Sequence, residues 1–113
     1  MNMEFPDWLN RDEYPFSSHY YRTPVGRMHY IDEGEGPPVV FFHGNPSWSF
    51  QFRNIIKDLP RDHRCIAPDL IGFGLSDKPP KWTYLPEDHA RYIEEFLESL
   101  DLKDITIVVG DWE

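Results

Sequence analysis

The chain has 113 residues, 40% of them hydrophobic and 16% aromatic, which suits one small domain with a core or part of a larger one. A net charge of −9 argues against a nucleic-acid partner, whose phosphates need clustered Lys and Arg, and against an anionic membrane surface. The single cysteine, Cys65, excludes an internal disulfide and a cysteine-based zinc site.

Taken in chain order, Met1–Asn10 lacks the basic and apolar regions of a secretory signal. No run approaches the ~18 apolar residues of a membrane span, so the cytoplasm is the expected location. Residues 1–16, rich in Pro, Asp and aromatics, read as an arm packed on a larger body. Ser17–Arg22 and Arg27–Asp32 are strand-like, and Thr23-Pro-Val-Gly26 between them carries turn residues, which predicts an antiparallel hairpin. Gly34–Pro38 is a loop. Val39-Val-Phe-Phe42 is a continuous apolar run, as expected of a strand buried on both faces of a parallel sheet.

Trp48–Leu59 has helical spacing, with Trp48, Phe52, Ile55, Ile56 and Leu59 on one side and Pro60 as its stop. Cys65-Ile-Ala67 is another strand, and its thiol is expected to be buried and structural. Asp69–Pro80, with two Gly and two Pro, is a long loop. Its Gly72-Phe-Gly74 lacks the rest of a P-loop or dinucleotide fingerprint. Pro86 starts the clearest helix, with Glu87 and Asp88 at its positive end and an apolar stripe of Ile93, Phe96, Leu97 and Leu100. Glu94, Glu95 and Glu98 form a solvated face. Ile105–Val109 reads as a last buried strand. Strands alternating with helices after a hairpin predict an α/β fold with a mostly parallel sheet.

Ligands of such sheets bind beyond the carboxyl ends of the strands. Two motifs fall there. His43-Gly-Asn-Pro46 follows one strand and Gly110-Asp-Trp112 follows another. Gly44 allows a tight turn with exposed amides, and Asn45 and Trp112 add side-chain N–H donors. Asp111 contributes a carboxylate. A carboxylate flanked by donors can attack carbon while the donors hold a leaving anion. Either motif alone is an ordinary turn; the pair, each at a strand exit, carries the signal.

From Phe16 to Trp112 the chain resembles the N-terminal half of an α/β-hydrolase, and within that superfamily a haloalkane dehalogenase. The runs that carry the resemblance are Val39–Trp48, Pro68–Pro79 and Asp104–Trp112. The second is widespread among α/β-hydrolases; Asn45 after His-Gly, combined with Asp111-Trp112, is more specific. The resemblance implies a partial α/β-hydrolase fold, with residues 17–113 as the N-terminal portion of its core domain. It implies Asp111 as a nucleophile that displaces halide and forms an alkyl ester. Asn45 and Trp112 would hold the halide by their side chains and form the oxyanion hole by their backbone N–H groups. His43 and Gly44 would support the oxyanion turn, and Asp69 the loops around it. A small halogenated alkane and water are the implied reactants, with no metal or organic cofactor.

The family also needs a histidine base and an orienting acid, both after the nucleophile in chain order. His19, His29, His43, His63 and His89 all precede Asp111, so base and acid are absent from this chain, which is expected to be inactive alone. Glu113 stands where dehalogenases have Gly, as truncation or a reading error would produce. The strand at 105–109 would then show an open edge, expected to aggregate or to seek a partner such as the missing C-terminal half, leaving the isolated chain marginal. The rivals are an epoxide hydrolase, a coelenterazine-type luciferase, and a non-catalytic fragment or half of a split protein. No Gly-x-Ser-x-Gly is present, which disfavours a serine esterase.

Overall fold

A computed structural model describes residues 6–44, 47–59, 62–82 and 84–110. The hairpin forms as expected. Strand β1 (His19–Thr23) runs antiparallel to β2 (Gly26–Glu33), and Thr23 closes the turn by donating its hydroxyl to the Gly26 carbonyl at 2.7 Å. Strand β3 (Pro38–Phe42) leads to a short 3₁₀ turn (Ser49–Phe52) and helix α1 (Arg53–Asp58). Then come β4 (Arg64–Pro68), helix α2 (Pro86–Ser99) and β5 (Thr106–Val109). Among the described residues the strands form one sheet in the order β1-β2-β4-β3-β5. Strand β2 meets β4 antiparallel, whereas β3 lies parallel to both β4 and β5. The mixed sheet is thus antiparallel at the hairpin and parallel beyond it.

Alternation along the strands divides the core into two faces. Val39, Phe41, Cys65 and Ala67 point to one face, where Phe52 and Ile56 cover them together with Leu9, Tyr14 and Phe16 of the N-terminal segment. Met28, Val40 and Ile66 point to the other, where Phe96 of α2 and Ile71 pack on them. Register enforces this division, because Val39 opposes Cys65 and Val40 opposes Ile66. Helix α2 starts with Leu85 as N-cap and Pro86 at its first position. Its buried residues are His89, Tyr92 and Phe96, so the buried stripe is broader and more polar than Ile93, Phe96, Leu97 and Leu100 alone.

Three expectations need correction. The segment from Trp48 to Leu59 is not one helix. Its first turn is 3₁₀, and the N–H groups of Ser47 and Ser49 before and at its start go to the Gly44 carbonyl and to Asp69 Oδ1. Ile55 does not join the apolar side but is 48% exposed. Among the described residues strand β5 lies at the edge of the sheet beside β3, and its residues are exposed or half-buried rather than buried. Pro60, proposed to end the first helix, lies outside the described residues, as do Met1–Phe5 of the arm. None of the helices among the described residues is long and apolar enough to cross a membrane.

Cys65 is sealed in the first core face, and its thiol is pushed up to about 11, mainly by burial and then by Asp62 and Glu33. A thiol needs its thiolate form and access to react. We therefore expect an aromatic disulfide reagent to modify Cys65 at least about a hundredfold more slowly in the native chain than in denaturant. Equal rates would show that this face does not form.

Candidate active site

The site is built around the carboxyl ends of β3, β4 and β5. After Phe42 the chain turns at His43-Gly44; after Val109 it reaches Gly110. The Gly110 N–H donates to the Phe42 carbonyl at 2.8 Å, which carries the pairing of β3 and β5 one residue past the strands. Side chains are excluded there. A Cβ on Gly110 would lie 2.8 Å from the Gln51 amide nitrogen and 3.0 Å from the Gly44 backbone nitrogen. The two strand exits therefore come together as closely as glycine permits.

His43 is buried, and both ring nitrogens are committed. Nε2 accepts the Leu70 N–H at 3.0 Å, so the proton sits on Nδ1, which donates to the Gly44 carbonyl at 2.8 Å. Burial, the largest cause, lowers its pKa, against smaller opposing effects from Gly44 and Asp69. A neutral ring used at both edges holds the turn and is no free base. Gln51, on the 3₁₀ turn, accepts the Gly44 N–H at 2.9 Å while its amide abuts Gly110. Nothing local in the sequence marks Gln51, because its partners lie on two distant strand exits.

Behind this turn lies a buried polar network centred on Asp69. Its Oδ1 accepts the Ser49 N–H at 2.6 Å; its Oδ2 accepts His29 Nδ1–H at 3.0 Å and the Leu75 N–H at 3.2 Å. His29 and Asp69 are both fully buried. The other ring nitrogen of His29 meets Ser18 Oγ at 3.1 Å, and Ser49 Oγ meets the Tyr14 hydroxyl at 2.6 Å. Ser76 accepts the His29 N–H at 2.7 Å and donates to the Asp69 carbonyl at 2.5 Å. Gly74 adopts φ +53°, and a Cβ there would sit 2.7 Å from the Asp69 carboxyl carbon. The two glycines of this loop are thus set by close packing and by backbone conformation, not by a phosphate.

A mostly apolar groove of about 280 Å³ opens beside the strand exits, lined by Phe42, His43, Leu70, His89, Ile93 and Val109 among others. His89, at the foot of α2, also has a lowered pKa, through burial first and the neighbouring His43 second. Of the residues expected to do chemistry, Asn45, Asp111 and Trp112 lie outside the described residues, as does Glu113. The structure brings together the residues that directly precede two of them, Gly44 and Gly110. Among the described residues no group of three or more His, Cys, Asp or Glu could hold a metal.

This arrangement agrees with the comparisons. Residues 37–112 match the model of the alpha/beta hydrolase fold family. The chain belongs to that family. It is 48% identical over 99 residues to Haloalkane dehalogenase 2 of Mycobacterium tuberculosis, a match that takes in 88% of this chain and 35% of that protein. It is also 48% identical over 101 residues to a cis-3-alkyl-4-alkyloxetan-2-one decarboxylase of Shewanella oneidensis, covering 87% of this chain and 32% of the relative. The crystal structure of the haloalkane dehalogenase DatA from Agrobacterium tumefaciens superposes with a TM-score of 0.75 at 35% identity, over 82% of this chain and 32% of that one. The chain thus spans about a third of the length of the relatives it matches.

The two lowered histidines give a signed pH dependence. Both resist protonation in the fold, so the unfolded chain takes up protons first as pH falls through the ordinary histidine value of about 6.5. Stability is fully present above that value and is lost below it. The urea midpoint is expected to fall between about pH 7.5 and about pH 5.5. A flat or rising midpoint would contradict the burial of His43 and His89.

Proposed function

We propose that this chain carries the nucleophile and the anion-holding donors of a haloalkane dehalogenase. The observation that supports it most is the approach of Gly44 to Gly110, since the next residues in the chain are Asn45 and Asp111. In this reading an Asp111 carboxylate oxygen attacks the halogen-bearing carbon. A C–O ester bond forms as the carbon–halogen bond breaks, and halide leaves with the electron pair. The side-chain N–H groups of Asn45 and Trp112 hold that halide. Their backbone N–H groups later stabilise the oxyanion formed when water attacks the ester carbonyl, an effect worth about 3–4 kcal/mol per donor. His43 and Gly44 keep the turn in place. The reaction also needs a base for the water and an acid to orient it, and His43, with both ring nitrogens engaged, is not that base.

A hydrolase acting on carbon–halogen bonds is favoured by the dehalogenase relatives and by Asn45 beside Asp111-Trp112. The oxetanone decarboxylase, equally similar in sequence, supports a second reading in which the same carboxylate opens a strained four-membered lactone. A cytoplasmic location goes with either reading.

Incubation with 1,2-dibromoethane, followed by halide titration and intact-mass measurement, tests the first reading. We expect at most one equivalent of halide per chain, with the alkyl adduct on Asp111 and lost in Asp111→Asn. Sustained turnover by the chain alone, or alkylation elsewhere, would overturn it. Release of carbon dioxide from a cis-3-alkyl-4-alkyloxetan-2-one, without any reaction of the dibromide, would favour the second.

A further inference from the structure

Backbone pairing of β3 with β5 ends where the Gly110 N–H meets the Phe42 carbonyl at 2.8 Å. Past that bond, a side chain that belongs to neither strand reaches both exits: Gln51 of the 3₁₀ turn. Its Oε1 accepts the Gly44 N–H at 2.9 Å. Only the oxygen of a carboxamide can accept, so this bond also fixes which end of the amide is which. The Nε2 end, with two N–H donors, then lies beside Gly110. A Cβ on Gly110 would stand 2.8 Å from Nε2 and 2.9 Å from Oε1, inside contact distance of both. The amide thus fills the place that a side chain at residue 110 would take. Gly110 is not among the positive-φ glycines, so this crowding, and not backbone conformation, is what calls for glycine here.

The backbone that carries Gln51 is itself pinned. Its N–H donates to the Trp48 carbonyl at 3.1 Å, and the Ser49 N–H, at the start of the same turn, donates to the buried Asp69 carboxylate at 2.6 Å. The Gly44 carbonyl is held as well, accepting the Ser47 N–H and His43 Nδ1–H, each at 2.8 Å. Those two partners belong to the turn of Gly44 and fix nothing relative to β5, whereas Gln51 touches both sides. We propose that Gln51 is a positioning residue of the site: it clamps the turn that carries Asn45 against the strand exit that carries Asp111, and so sets the distance between halide-holding donor and nucleophile. The same bond commits the Gly44 N–H, which leaves the oxyanion to the next N–H of the turn, that of Asn45. The clamp rests on the contacts of Gly44 and Gly110; its part in catalysis rests on the dehalogenase reading of Asn45 and Asp111.

The test measures amide hydrogen exchange at Gly44 in Gln51→Ala, Gln51→Glu, Gly110→Ala and the double variant Gln51→Ala/Gly110→Ala. Gln51 belongs to neither buried cluster, and exchange at Val40 and Ile66 checks that the sheet is intact in every variant. Gln51→Ala removes the acceptor, and exchange at Gly44 is expected to speed by about tenfold or more. Gln51→Glu keeps an accepting oxygen at the same reach and is expected to retain the protection. Gly110→Ala pushes the amide aside and is expected to match Gln51→Ala. The double variant then goes no further than about twofold, because both substitutions break one contact. Unchanged exchange in Gln51→Ala, equal loss in Gln51→Glu, or additive losses in the double variant would overturn the proposal. The same chains are incubated with 1,2-dibromoethane. At saturating dibromide the rate of Asp111 alkylation is expected to fall by about tenfold or more in Gln51→Ala, with the half-saturating concentration moving by less than about twofold. An unchanged rate would overturn the positioning role. No alkylation of the unsubstituted chain would count against the dehalogenase reading, and the exchange at Gly44 would then decide the clamp by itself.

Discussion

Asp69 holds a carboxylate entirely away from water and satisfies it with N–H donors from three places: the backbone of Ser49, the ring of His29 and the backbone of Leu75. A buried carboxylate without such partners would be among the costliest groups a small domain could contain. The donors therefore have to arrive together. Through Ser49 the network fixes the turn that follows β3, and through Ser49 Oγ it anchors Tyr14 and the N-terminal segment. Through Leu75 and Gly74 it shapes the loop after β4. Leu70, the next residue, then presents its N–H to His43. One carboxylate thus links the three segments that surround the exit of β3.

That linkage explains how the strand exits are held in place in so small a piece of fold. Gly44 and Gly110 approach each other because β3 and β5 are parallel neighbours, and they stay in place because His43 and Gln51 occupy the hydrogen-bonding edges of the turn. The family match over residues 37–112 and the TM-score of 0.75 to a dehalogenase structure show that this frame is the one its relatives use. Which reaction runs on the frame depends on groups beyond it. Two relatives at the same identity, a dehalogenase and an oxetanone decarboxylase, make the point from outside.

Much of the frame was legible in the sequence, because the signals are local. Val39–Phe42 is apolar without interruption, Pro86 followed by Glu87 and Asp88 marks a helix start, and Thr23–Gly26 marks a turn. The misreadings have physical causes. The periodicity from Trp48 to Leu59 is helical, but its first turn is 3₁₀ and starts at Ser49, whose N–H is bonded to Asp69. Ile105–Val109 has the composition of a buried strand, yet among the described residues it lies at the edge of the sheet. His29, Ser76 and Gln51 could not be singled out, because each side chain acts through partners between 7 and 47 positions away and no short pattern records them. For the site, the residue types were readable at the strand exits, whereas the geometry of Asn45, Asp111 and Trp112 belongs to positions the structure does not describe.

The claim that one buried carboxylate sets the geometry of the strand exits is tested most directly by amide hydrogen exchange in Asp69→Asn. The substitution keeps the shape but replaces one accepting oxygen with a donating amide. The account predicts that protection at Ser49, Leu70 and Leu75 falls by about tenfold or more, while Val40 and Ile66 in the sheet keep theirs. Unchanged exchange at those three amides would contradict it.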